Sequence, residues 1–117
     1  MAVTDIYDLL EQQFGARVEP ILDFPLAQLT NVSQVLFRQD PRVAGWSFVN
    51  TGAAAVALRP MGVASAANGI QVPPSGMLSV NWRDDGVLPA LEWQAVSPGG
   101  NQTFFAIAYR IVPQGGG

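Results

Sequence analysis

A chain of 117 residues has room for one domain and one core. Its six basic residues, all Arg, stand against nine acidic ones for a net charge of −3, and it contains no Cys, His or Lys. This excludes thiolate and imidazole nucleophiles, Schiff bases, Cys/His zinc sites, disulfides and a titrating switch near neutrality. Charged residues make up only 13 % of the chain and hydrophobic ones 49 %, so apolar surface must be hidden beyond a single small core, and assembly is expected.

The first residues, Met1 to Glu11, have neither a basic leader nor an unbroken apolar run, so no signal peptide is expected. No stretch has the length of a membrane span, and no membrane partner is expected. Scattered Arg in an acidic chain argue against nucleic acid. A helix is expected from Thr4, which can cap it, to Gly15, which can end it, with Asp5 and Asp8 in the favourable first turns. Ile6, Leu9, Leu10 and Phe14 then share one face, with Glu11, Gln12 and Gln13 largely opposite. A helix of about three turns is marginal alone and must dock on something.

Residues 17–41 hold Pro20, Pro25 and Pro41 among Ile21, Leu22, Phe24, Leu26 and Leu29, with a short strand possible at Val35–Arg38. This segment is read as an extended arm lying across its own domain or a partner's surface. From Val43 the pattern has period two. Trp46 and Phe48 share a face before the turn Asn50-Thr51-Gly52, then Ala54, Val56 and Leu58 alternate. Ile70 and Val72 run up to Pro73-Pro74-Ser75-Gly76, and Leu78, Val80 and Trp82 run up to Asp84-Asp85-Gly86. Leu91, Trp93 and Ala95 precede Ser97-Pro98-Gly99-Gly100-Asn101. In the last strand Phe105, Ile107, Tyr109 and Ile111 are assigned to the core. Phe104, Ala106, Ala108 and Arg110 are assigned to an outer face too apolar for water. The run Ala53-Ala54-Ala55 with Ala57 points likewise to close packing. The expected fold is all-β, an antiparallel β-sandwich of jelly-roll-like type with a short N-terminal helix. Its expected divisions are a helix and arm over 1–42, a sandwich over 43–112 and a flexible tail over 113–117.

No motif carries chemistry. Asp84 and Asp85 are adjacent in a turn and do not converge as a catalytic dyad, and a calcium site would need further ligands such as Asp40. The Gly-rich Ser97–Gly100 lacks the Lys and following helix of a phosphate loop, and six serines have no His or Lys partner. Asn31 and Asn101 match the glycosylation pattern, which means little without a secretory route. Trp82 or Trp93 could form a sugar-binding platform, although such residues more often fill cores and interfaces. An enzyme would depend on carboxylates alone, from Asp40, Asp84, Asp85 or Glu92. No enzyme activity, cofactor or metal is expected.

Arg42 with Trp46-Ser47-Phe48-Val49-Asn50-Thr51-Gly52, the run Ala54–Pro60, Gly69-Ile70-Gln71-Val72-Pro73-Pro74-Ser75-Gly76 and Leu88–Ser97 form a familiar sequence of short motifs. Over residues 42–112 the chain resembles small β-sandwich structural proteins of tailed bacteriophages. The resemblance implies a virion component assembled in the bacterial host cytoplasm, foremost a capsid decoration (cement) protein that stabilises the head shell. A neck, collar or tail accessory protein is the alternative within that class, and a glycan-binding module for host recognition the alternative outside it. The expected partners are the major capsid protein or other virion proteins and further copies of the chain, as a homo-oligomer. Ile6, Leu9, Leu10, Phe14, Phe24, Leu26 and Phe104 are the expected contact residues.

Overall fold

The computed structural model describes residues 17–112 apart from 22, 23 and 25. In chain order its strands are β1 (Arg17–Ile21), β2 (Gln34–Phe37), β3 (Val43–Asn50), β4 (Val56–Pro60), β5 (Ile70–Val72) and β6 (Met77–Asn81). One helical turn, α1 (Trp82–Asp85), and a 3-10 turn at Leu88–Ala90 then lead to β7 (Trp93–Val96) and β8 (Phe104–Val112). Two four-stranded sheets form, in the orders β1-β8-β3-β6 and β2-β7-β4-β5, with antiparallel pairing throughout.

The pairings are nested. Strand β4 pairs with β5, β3 with β6, β2 with β7 and β1 with β8, so the chain is a ribbon doubled back at the β4–β5 turn. Two further pairings, β8 with β3 and β7 with β4, roll that ribbon into the two sheets. Both sheets contribute to one core, in which Trp46 and Phe48 of the first meet Leu58, Val72 and Trp93 of the second. An aromatic chain crosses it: Phe24 edge-on to Phe37 at 5.2 Å, Phe37 stacked on Trp46 at 4.3 Å, and Trp46 edge-on to Trp93 at 4.9 Å. Each such pair adds about 0.5–1.5 kcal/mol to the burial itself. The Trp93 indole N–H is satisfied by the Leu88 carbonyl at 2.9 Å, which is why the 3-10 turn sits beneath it.

The all-β architecture agrees with the expectation, and three details do not. The boundary at residue 42 does not separate an arm from the sandwich, because β1 and β2 are members of the two sheets. Pro20 disguises β1, yet β1 is an edge strand, where a residue without an N–H is tolerated. The faces of β8 are the reverse of those assigned from sequence. Ala106 and Ala108 are buried, whereas Phe105 is 58 % and Ile107 42 % exposed. The reason lies on the neighbouring strand: Ala108 pairs with Trp46 and Ala106 with Phe48, so the two large rings fill the space and leave only methyl-sized gaps. Finally, Trp82 does not extend the fourth predicted strand. Asn81 ends β6 and caps α1, its Oδ1 accepting from the Asp84 N–H at 2.9 Å. The predicted helix, with Ile6, Leu9, Leu10 and Phe14, and the predicted tail lie outside the described residues.

At the end of β3, Asn50 joins the sheets. It is fully buried; its Nδ2 donates to the carbonyls of Ala54 (2.8 Å) and Val72 (3.0 Å), and its Oδ1 accepts from the Gly52 N–H (2.9 Å). The predicted turn after Asn50 is thereby tied to the opposite sheet through β5.

Candidate functional site

Alternation places Val49, Ser47 and Gly45 of β3 on the outer side of the first sheet, and the register extends each into a row. Val49 lies between Met77 of β6 and Phe105 of β8; Ser47 lies between Ser79 and Ile107. Gly45 lies between Asn81 and Tyr109, and Tyr109 also faces Pro20 of β1. The result is a sheet face carrying Met77, Val49, Phe105 and Ile107 where a solvated face would carry charge, with Met77 67 % exposed. The two hydroxyls within it satisfy one another, Ser47 Oγ lying 2.9 Å from Ser79 Oγ. The Tyr109 side chain closes over Gly45, where a Cβ would come 2.5 Å from its Cε1. A groove of about 360 Å³ follows this face between Pro20, Ser47, Ser79, Asn81, Ile107 and Tyr109. Burial raises the Tyr109 hydroxyl above its ordinary pKa, and the nearby Arg83 charge opposes that rise.

The outer side of the second sheet is covered differently. The β4–β5 loop, residues 61–69, folds over it, with Ala64 donating its N–H to Ser33 Oγ at 2.9 Å and Ser33 donating to Gln94 Oε1 at 2.8 Å. Arg59 Nη1 fixes the loop by donating to the Val63 carbonyl at 3.2 Å. Ala57, Ala64 and Val96 form a small second core beneath it, so Ala57 does serve close packing as expected. The loop leaves Met61, Val63 and the neighbouring Val32 more than 60 % exposed. Two surfaces therefore carry uncovered apolar side chains.

Between the sheets at the β1–β2 side opens a second cavity of about 360 Å³, with Ile21, Phe24, Phe37, Arg38, Asp40 and Arg110 on its walls. Two of its charges are paired at long range: Arg110 Nε and Glu19 Oε2 are 3.5 Å apart, as are Arg42 Nε and Asp40 Oδ1. Part-exposed pairs of this length contribute about 0–1 kcal/mol.

The expected contact residues divide accordingly. Phe24 and Leu26 are half-buried against the protein's own core, and Phe104 stacks on Phe48 at 5.6 Å; the outward apolar residues of β8 are instead Phe105 and Ile107. Trp93 is 1 % exposed and cannot present a face to a sugar. Trp82, 38 % exposed, has the Arg83 guanidinium 5.4 Å from its ring centre. Asp84 and Asp85 work locally: Asp84 Oδ2 accepts from Asn81 Nδ2 (3.1 Å) and Asp85 Oδ2 from the Asn81 N–H (3.0 Å). Among the described residues no three acidic side chains come together as metal ligands. None of the hydroxyl hydrogen bonds at Ser33, Ser47 and Ser79 involves a general base. Comparison with protein-family models and with curated proteins finds no match for this chain.

Proposed function

We propose that this protein is a structural component of a tailed-phage virion, foremost a capsid decoration protein that binds the head shell and is present in many copies. The observation that carries the reading is the apolar load outside both cores: Met77, Phe105 and Ile107 on one sheet, Met61, Val63 and Val32 on the other. A chain of 13 % charged residues that exposes two such surfaces is built to be covered by neighbours. Many modest contacts repeated around a shell stabilise through avidity rather than through one tight site. The strand orders β1-β8-β3-β6 and β2-β7-β4-β5, with their nested pairing, support the finer reading of a jelly roll, an architecture found in viral capsid and lectin domains. That support is by analogy of fold, and the uncovered side chains are the physical argument.

The test is the copy number of the chain in purified particles, measured by quantitative mass spectrometry against the major capsid protein. A ratio near one, or a simple fraction of it, is the expected result. About six to twelve copies, as for a ring on a symmetry axis, would move the protein to the neck or tail. Absence from particles would overturn the reading.

A further inference from the structure

Three of the four sheet edges are blunted against further pairing, and β6 is not. We propose that β6 is where two copies of this chain join, each laying its β6 antiparallel to the other's about a twofold axis at Ser79, so that the sheet continues across both copies. The inference holds whether or not the chain is a virion protein. It uses the rim of the β1-β8-β3-β6 sheet and leaves its outer face, like the loop surface of Met61 and Val63, open to other neighbours.

The first observation is the contrast between edges. The sheets end in β1 and β6, and in β2 and β5. An edge strand invites pairing unless charge, proline, a bulge or brevity prevents it. Strand β1 carries Arg17, Glu19 and Pro20, and the register of β2 shifts between Val35 and Phe37. Strand β5 is three residues long and runs into Pro73. Strand β6, Met-Leu-Ser-Val-Asn, has neither charge nor proline and keeps its register with β3 over five successive pairs.

The second is which backbone groups β6 leaves over. The Asn50 N–H donates to the Gly76 carbonyl at 2.9 Å, in line with the β3–β6 ladder. Antiparallel alternation then turns the N–H and carbonyl of Leu78 and Val80 towards β3, and those of Met77, Ser79 and Asn81 outward. Asn81 agrees, because its N–H is taken by Asp85 Oδ2 at 3.0 Å. The N–H and carbonyl of Met77 and of Ser79 meet no partner among the described residues.

The third is what a second copy would bring. With the axis at Ser79, that residue faces its own copy, Leu78 faces the copy's Val80, and Met77 faces the copy's Asn81. Each Ser79 N–H then meets the other Ser79 carbonyl, and each Met77 N–H an Asn81 carbonyl. Leu78, half-buried against the core, and the buried Val80 lie on the inner side, so the pairing extends that core. No like charges meet, although each copy carries −3. The two Asp84-Asp85 turns stand at opposite ends of the paired strands, more than about 13 Å apart and beyond the Debye length of about 8 Å. Because both copies use the same strand and the other edges are blunted, assembly closes at two.

Sedimentation equilibrium of the full chain from about 10 µM to about 1 mM is the test, the range suited to a contact of one strand. The average mass is expected to rise from that of one chain towards that of two and to stop there. Ser79→Glu and Ser79→Lys each set like charges face to face on the axis and should weaken association by about tenfold or more, and an equimolar mixture of the two should restore it. Phe105→Asp, on the open face of the same sheet, should leave the mass curve unchanged. A parent mass that stays at one chain or passes two would overturn the proposal. So would a Ser79→Glu variant as dimeric as the parent, a mixture that stays monomeric, or dissociation by Phe105→Asp, which would move the contact onto the face. Near-ultraviolet circular dichroism of the Trp core reports folding. Should the Ser79 variants not fold, Met77→Pro, which removes an N–H that β3 does not use, must dissociate the dimer or the proposal fails.

Discussion

Asn50 at the end of β3 bonds from one buried side chain to the Val72 carbonyl of the opposite sheet, and its removal has a magnitude that follows from its partners. Asn50→Ala would strand the Val72 carbonyl in the interior, and leave the Ala54 carbonyl and the Gly52 N–H in partly buried positions without their partners. A buried unsatisfied group costs about 1–3 kcal/mol and a lost partly buried bond about 0.5–1.5 kcal/mol. The expected total is about 3–5 kcal/mol, a large share of the stability of a domain this size. The corresponding drop in Tm is roughly 20 °C, from about 4–8 °C per kcal/mol for domains near 100 residues. Asn50→Asp is the sharper probe because it keeps the shape. Its carboxylate would face two carbonyl oxygens without water, so its pKa in the folded state would rise well above the unfolded value of about 3.9. The folded state then binds the proton more tightly, and the variant gains stability as pH falls from 7 towards 4. Urea denaturation followed by Trp fluorescence at several pH values measures both effects. An Ala variant within about 1 kcal/mol of the parent, or an Asp variant whose stability does not change with pH, would refute the role of Asn50 as the tie between sheets.

Gly45→Ala would drive a methyl group into the Tyr109 ring and destabilise by about 1–3 kcal/mol, and Tyr109→Ala in the same chain should relieve most of that loss in a double-mutant cycle. Because burial raises the Tyr109 pKa, its contribution is intact below about pH 10, the unfolded value, and is lost as pH rises through the folded pKa; Tyr109→Phe should flatten that alkaline decline in thermal melts. Asn81→Ala removes the cap of α1 and should cost about 1 kcal/mol by denaturant titration while the sheet signal in circular dichroism stays unchanged. Phe48→Ala, which opens a cavity between Phe104 and the opposing sheet, should cost about 3–5 kcal/mol and abolish the cooperative thermal transition.

Strands β3 to β8 are legible in the sequence because period-two runs such as Trp46–Phe48 and Val56–Leu58 are separated by Gly, Pro and Asn turns. The strand at Gln34–Phe37 shows in its apolar triplet. The strand at Arg17–Ile21 does not, since Pro20 reads as a break until the edge position is known. Which face of β8 turns inward is not a property of β8 alone. Both of its faces are apolar, and the choice is made by the volumes of Trp46 and Phe48 across the register, which single-strand alternation does not contain. The candidate surface was therefore legible in kind, as an apolar outer face on the last strand, but displaced by one residue from Phe104 to Phe105. The short pattern Asn81 to Asp84 carried a helix-cap signal that the alternating Leu78, Val80 and Trp82 obscured. The covering of the second sheet depends on Ser33, Gln94 and Ala64, which lie far apart in the chain and share no local pattern.

The nested pairing has a consequence for how the molecule is made. The β4–β5 hairpin closes a short loop, while β1 can find β8 only after nearly the whole chain exists. Each inner pair shortens the effective loop that the next must close, so the least entropically costly order of assembly runs from the middle of the chain outward. On a ribosome, the first strand to emerge would be the last to acquire a partner. Until Phe104–Val112 is released, β3 lacks one neighbour and β1 has none, and the nascent chain displays open strand edges to whatever is near.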